Sequence, residues 1–163
     1  MAFPRAKRST PPVLATIGYE GATPPAVIDA LRAAGVTLLV DVRAAARSRR
    51  PGFAKSRLAG GLADAGIAYR HAAALGTPAD GRAAARAGRH AAMRAIFAEH
   101  LATAPAEAAL AEVGALARAE RACLLCFEAD PGHCHRLLVA DALAAREAGL
   151  TVVHLHPEPA PAD

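Results

Sequence analysis

The chain has 163 residues, enough for one domain with an adequate core and too few for a second of ordinary size. Hydrophobic residues make up 53% of it and aromatic residues only 4%, so its core must come from Ala, Leu and Val, and no apolar run approaches the ~20 residues of a membrane span. A net charge of +4 mildly favours anionic partners, and three cysteines crowded into one late segment exclude a secreted disulfide framework.

Met1 to Pro12, with Arg5, Lys7 and Arg8 among prolines, reads as a flexible basic lead-in. It lacks an apolar signal core, so a reducing, cytoplasmic location is expected. A single domain is expected over residues 13–155. Val13 to Gly18 is its first strand, ending in the turn Gly18-Tyr19-Glu20-Gly21. Thr23 as N-cap and Pro24 at the first helical position start a helix that runs to Ala34, and Gly35 ends it. Val36 to Val40 is a second buried strand with Asp41-Val42-Arg43 at its carboxyl end, completing a right-handed βαβ unit.

From Arg43 to Arg57 the chain carries Arg43, Arg47, Arg49, Arg50, Lys55 and Arg57 and no acid. Pro51-Gly52-Phe53 breaks this stretch, and Lys55 to Ala65 reads as a helix although Gly60-Gly61 weakens it by roughly 1 kcal/mol per glycine. Ile67 to His71 is a third strand. Ala79 to Gly88 shows no clear pattern and is expected to be an active-site flap or disordered. Two Ala-rich helices follow, His90 to Ala102 and Pro105 to Ala119, with Thr103 as a candidate cap between them.

The apolar run Cys123 to Phe127 is a fourth strand, broken by Glu128-Ala129-Asp130-Pro131-Gly132, and a helix starting near His133 runs to Ala148 with Gly149 as its cap. Leu150 to Leu155 is the last strand, and His156 to Asp163 reads as a disordered tail. Five strands alternating with helices predict a three-layer α/β/α domain with a mostly parallel sheet. Ligands of such sheets sit outside the carboxyl ends of the strands. Tyr19, Asp41, Arg43, Cys126 and His135 are therefore expected in one crevice, provided that strands one, two and four are neighbours.

The groups gathered there permit several chemistries. Cys126, at the end of a central strand, resembles the nucleophile of rhodaneses and cysteine phosphatases. Gly132 stands where the phosphatases carry an arginine six positions on, and Glu128 and Asp130 would repel a phosphate. Cys134, at a helix N-terminus beside His135 and Arg136, is either a reactive thiol or a packing residue under the turn. Cys126, Glu128, His133, Cys134 and His135 are all zinc-competent types, but Cys-x7-Cys-His matches no structural zinc pattern and no metal is assigned. Asp41 and Arg43 point to one face of their strand, either as an internal ion pair or as an anion-binding pair with Asp41 as base. Glu20 is a second candidate carboxylate for acid/base work or an exposed loop acid. Arg47-Ser48-Arg49-Arg50 with Phe53 suits phosphate contact plus one stacked base, or is a solvated face.

Thr16-Ile17-Gly18-Tyr19-Glu20-Gly21, Leu39-Val40-Asp41-Val42-Arg43, Ser48-Arg49-Arg50-Pro51-Gly52-Phe53 and Leu125-Cys126-Phe127-Glu128 with Cys134-His135-Arg136 occur in this order. Together they resemble the successive motifs of domain-of-unknown-function family 488, over about Leu14 to His154. The resemblance implies an α/β fold with a shared polar cleft and no established reaction. The family commonly has a proline soon after Asp-Val-Arg, where this chain has Ala44-Ala45-Ala46.

The leading expectation is a cytoplasmic protein that binds an anionic small molecule or a nucleic-acid segment in that cleft. Arg43, Arg49, Arg50 and Arg136 would supply charge, and Asp41, Glu20 or Glu128 acid/base chemistry. Cys134 and His135 would add thiol and imidazole chemistry, and Gly18, Tyr19, Gly21, Ser48, Phe53 and Cys126 would shape the ligand site. One alternative is a non-catalytic nucleic-acid-binding module using the Arg43–Arg57 loop. Another is a metal- or redox-responsive protein using Cys126, Cys134 and His135. No cofactor is indicated, and no membrane contact is expected.

Overall fold

The computed structural model describes residues 11–163, so the expected basic lead-in lies outside the described residues except for Pro11 and Pro12. Strands β1 (Val13–Gly18), β2 (Leu38–Asp41), β3 (Ala68–His71), β4 (Ala122–Cys126) and β5 (Thr151–Leu155) form one sheet in the order β3-β2-β4-β1-β5. Every pairing in it is parallel. Helices α1 (Pro24–Ala33), α2 (Lys55–Asp64), α3 (Ala79–Arg86), α4 (His90–Leu101), α5 (Ala104–Ala119) and α6 (His135–Arg146) connect them.

The strands alternate their side chains between two cores. On one face Ala15, Ile17, Leu39, Cys123 and Leu125 pack with Val27 and Leu31 of α1 and Leu58 and Leu62 of α2. On the other, Leu14, Val40 and Leu124 meet Ala84 of α3, Phe97 of α4, Leu110 of α5 and Val139 of α6. Three layers result, as the alternation of elements predicts. A sheet covered on both faces needs continuous apolar strands, and all five residues of β4 are buried. Because β4 lies between β1 and β2, the carboxyl ends of these three strands are neighbours.

Local signals behave as their chemistry requires at α1, where the Thr23 hydroxyl accepts a hydrogen bond from the Ala26 N–H at 3.3 Å and Pro24 opens the helix. The segment expected as a flap or as disorder is instead helix α3. Its alanines favour a helix, and Gly81, which masked that signal, answers a packing need: a Cβ there would lie 2.6 Å from Cγ2 of Thr77. The last helix also differs from expectation. Residues Pro131–His133 form a separate 3-10 turn, Cys134 is extended at φ −125° and ψ 144°, and α6 begins at His135 and ends at Arg146. After β5 the chain returns toward the first loop, where Ala22 and Pro159 form an antiparallel bridge and the Ala160 N–H donates to the Gly21 carbonyl at 2.7 Å. Among the described residues no helix is long and apolar enough to cross a membrane.

Candidate functional site

A cavity of about 510 Å³ lies at the carboxyl ends of β1, β2 and β4, within the size range of small-molecule sites. Tyr19 comes to it from the end of β1, Arg43, Ala44, Ala45 and Arg47 from beyond β2, and Cys126, Phe127 and Glu128 from the end of β4. His133 and His135 close one side; Thr77, Arg82, Ala85, Arg86 and Met93 close another. Four of the five residues expected to converge line this space. The fifth, Asp41, is completely buried behind Arg43.

Asp41 and Arg43 form a bidentate pair: Nε donates to Oδ1 at 2.9 Å and Nη2 to Oδ2 at 2.7 Å. The Arg43 backbone N–H also donates to Oδ1 at 3.1 Å, and the Tyr69 hydroxyl donates to Oδ2 at 2.5 Å. With both carboxylate oxygens doubly occupied, Asp41 has no acceptor left for a substrate proton, which argues against the role of general base. Arg43 is similarly engaged, since its Nη1 donates to the Phe53 carbonyl at 2.8 Å and the Tyr19 hydroxyl at 3.2 Å. Burial opposes its charge, but the hydrogen bonds and charge of Asp41 outweigh that and hold the guanidinium above its ordinary pKa. His71 joins the network from β3, its Nε2 donating to the Arg43 carbonyl at 2.7 Å. Tyr69 and His71 carry no motif signal, and only the β2–β3 pairing brings them here.

The basic loop is largely turned inward. Phe53 is 1% exposed and stacks on Tyr19 with ring centroids 4.3 Å apart, so it cannot serve as the base-stacking platform expected from sequence. Arg50 lies over the Phe53 ring and donates to the backbone carbonyls of Tyr19 at 2.9 Å and Ala22 at 2.6 Å, clamping the β1–α1 loop. Ser48 accepts from the Arg50 N–H at 3.1 Å, an ordinary turn contact, while Arg49 is exposed. Glu20 accepts from the Ala129 N–H at 2.9 Å, bracing the loop after β4 outside the cavity lining. Gly21 is exposed in the first loop. Gly18 is a close approach: a Cβ there would lie 1.9 Å from the Glu128 carbonyl oxygen.

Arg136 is another internal cation. It is completely buried; its Nε donates to the Thr16 hydroxyl at 3.3 Å, Nη1 to the Glu128 carbonyl and Nη2 to the Ala129 carbonyl at 3.2 Å. It holds the β4–α6 loop against β1, not a ligand.

At that loop Cys126, Cys134 and His135 come together. His135 Nε2 lies 2.7 Å from the Val42 carbonyl oxygen, which can only accept, so this nitrogen carries a proton. In the neutral ring the lone pair is then on Nδ1, which faces Cys126 Sγ at 3.6 Å and Cys134 Sγ at 3.9 Å. Cys126 and His135 reach the cavity, whereas Cys134 is 3% exposed and does not line it. Burial pushes the Cys134 thiol well above its ordinary pKa, contrary to the depressed value that a nucleophile at a helix N-terminus would have. Cys123, spaced Cys-x-x-Cys from Cys126, belongs to the opposite core and cannot join the cluster. Of the five zinc-competent residues, three can place a ligand atom about one centre, and Glu128 and His133 remain on the cavity wall.

The sequence pattern of the family described as "Domain of unknown function DUF488" matches residues 23–143. The chain belongs to this family. No curated protein and no solved structure matches it at a significant level. Within the DUF488 region, Asp-Val-Arg and Ser-Arg-Arg-Pro-Gly-Phe build mainly the frame of the cavity, while Cys126 and His135 reach into it. The cavity's further cations, Arg82 and Arg86, come from α3 and were not singled out from sequence. Their i, i+4 spacing was the available signal, since it puts both on one helical face once α3 is recognised.

Proposed function

We propose that this DUF488 protein binds an anionic small molecule in the cavity above Cys126 and His135. The observation that carries the reading is the charge of the lining, four arginines against the single carboxylate of Glu128. Arg43 is neutralised by Asp41, but the Arg47 and Arg86 side chains are exposed and make no hydrogen bond or ion pair among the described residues. Arg82 is also exposed, with only Nη1 engaged, on the Thr77 carbonyl at 2.8 Å. Planar guanidiniums with unused donors suit carboxylate or phosphate groups. Tyr19, Ala44, Ala85, Met93 and Phe127 add apolar surface for the rest of such a molecule. The buried Phe53 and the engaged Arg50 favour a small ligand over a nucleic-acid strand.

The test is calorimetric titration with adenosine monophosphate, inorganic phosphate and uncharged adenosine, comparing the wild type with Arg82→Ala/Arg86→Ala and Arg49→Ala. The phosphate-bearing probes should bind, and the double substitution should weaken them by about tenfold or more. Arg49→Ala should leave them unchanged. Equal binding of adenosine and its phosphate, or binding indifferent to the double substitution, would refute the reading. Tighter binding of a single-stranded oligonucleotide, lost on Arg49→Ala, would replace it with a nucleic-acid module.

A further inference from the structure

The geometry points to a further site: we propose that Cys126, Cys134 and His135 bind a zinc ion through Sγ, Sγ and Nδ1, with its remaining coordination position toward the cavity. The three ligand atoms lie within 4.8 Å of one another. Nδ1 is 3.6 Å from one sulfur and 3.9 Å from the other. A tetrahedral zinc with its usual bonds to sulfur and nitrogen spaces neighbouring ligand atoms about 3.5–3.8 Å apart, so small side-chain adjustments suffice.

Two independent features support the assignment. His135 donates its other ring nitrogen to the Val42 carbonyl at 2.7 Å. Metal-bound imidazoles are typically oriented in this way, and the contact directs the Nδ1 lone pair at the sulfurs. The second feature is the backbone at Cys134. Adjacent residues within a helix diverge by about 100°, which would keep Cys134 and His135 from sharing a target if both were helical. Cys134 is extended and lies just before α6, so that restriction does not apply.

Two thiolates and one imidazole form a soft donor set that selects zinc over magnesium or calcium. Loading releases the two thiol protons to solvent, because a coordinated thiol is deprotonated even where burial alone keeps it neutral. The resulting centre has no net charge, which suits its buried position. Three protein ligands leave the fourth position for water or for a donor atom of a molecule in the cavity, the arrangement of reactive rather than structural zinc sites. The zinc site does not require the anion reading, and each can fail alone.

Cobalt is the spectroscopic probe. The full chain, reduced and stripped with chelator, is titrated with Co²⁺ under a non-coordinating reductant. We expect saturation at a single equivalent, a thiolate-to-cobalt charge-transfer band and the intense visible bands of a tetrahedral ion, all displaced by Zn²⁺. Cys126→Ser and Cys134→Ser should each diminish the charge-transfer band and weaken binding by about a hundredfold. Cys123→Ser should preserve the spectrum. On the unmodified chain, Zn²⁺ should protect Cys126, the ligand thiol that reaches the cavity, from alkylation, a readout that does not depend on any variant folding. A wild-type protein with no charge-transfer band, a spectrum indifferent to both ligand substitutions, or alkylation unaffected by Zn²⁺ would overturn the assignment.

Discussion

Two groups of arginines in this chain have the same chemistry and opposite surroundings. Arg43, Arg50 and Arg136 direct their donors into the protein: onto Asp41, Tyr19 and the Phe53 carbonyl, onto the β1–α1 loop, and onto the β4–α6 loop. Arg47, Arg82 and Arg86 stand exposed around the cavity with most or all of their donors free within the described residues. The first group occupies the motifs; the second lies on a loop and a helix without one. A charged residue in a motif can therefore be scaffold, and a charge becomes a candidate for ligand contact when its hydrogen-bonding capacity is unfilled.

The largest effect should come from breaking the internal group. Asp41→Asn leaves the Arg43 guanidinium buried without its counter-charge and should lower unfolding free energy by roughly 3–5 kcal/mol, read from urea midpoints. A loss under about 1 kcal/mol would mean that Arg43 is solvated and available, and would dissolve the distinction between the groups.

A smaller, pH-dependent effect tests how tightly that network is built. Burial first, and then the Asp41 hydrogen bond, hold the Tyr69 phenol above its ordinary pKa. The folded state therefore favours the protonated phenol. Its contribution is complete below the unfolded value, about pH 10, and is lost as pH rises toward the folded one. Tyr69→Phe should cost about 1.5 kcal/mol near neutrality, and the gap to wild type should narrow above about pH 10. A gap that is constant with pH would show that Tyr69 contributes by packing alone.

The smallest effect belongs to the second group. Arg47→Ala and Arg86→Ala should each shift stability by no more than about 0.5 kcal/mol, in the same urea assay. A larger loss would show that these side chains also serve the fold, and would weaken the case that their charge is there for a ligand.

Much of this protein was readable from residues in order. Apolar runs bounded by glycine and proline gave the three central strands, β1, β2 and β4, because a strand buried on both faces admits few polar residues, whereas the edge strands β3 and β5 are partly exposed and carry Arg70, His71 and His154. Thr23-Pro24 marked the start of α1 by chemistry that acts within one turn. Other features needed the fold. The helical state of Ala79–Arg86 was hidden by Gly81, which is small because Thr77 packs against it, a contact with no local signature. Phe53 and Arg50 looked like a surface for bases until the stacking of Phe53 on Tyr19 removed it.

The layered α/β class and the strand ends where chemistry gathers follow from local signals, since periodicity and turn residues act over a few positions. Which charges remain free is set by long-range packing. Whether an arginine faces a carboxylate, a carbonyl or a cavity depends on segments far apart in the chain, as the Arg136 contact to Thr16 illustrates. The meeting of Cys126, Cys134 and His135 is of the same kind. It depends on a 3-10 turn and one extended residue, which set the sulfur and nitrogen atoms at their separations.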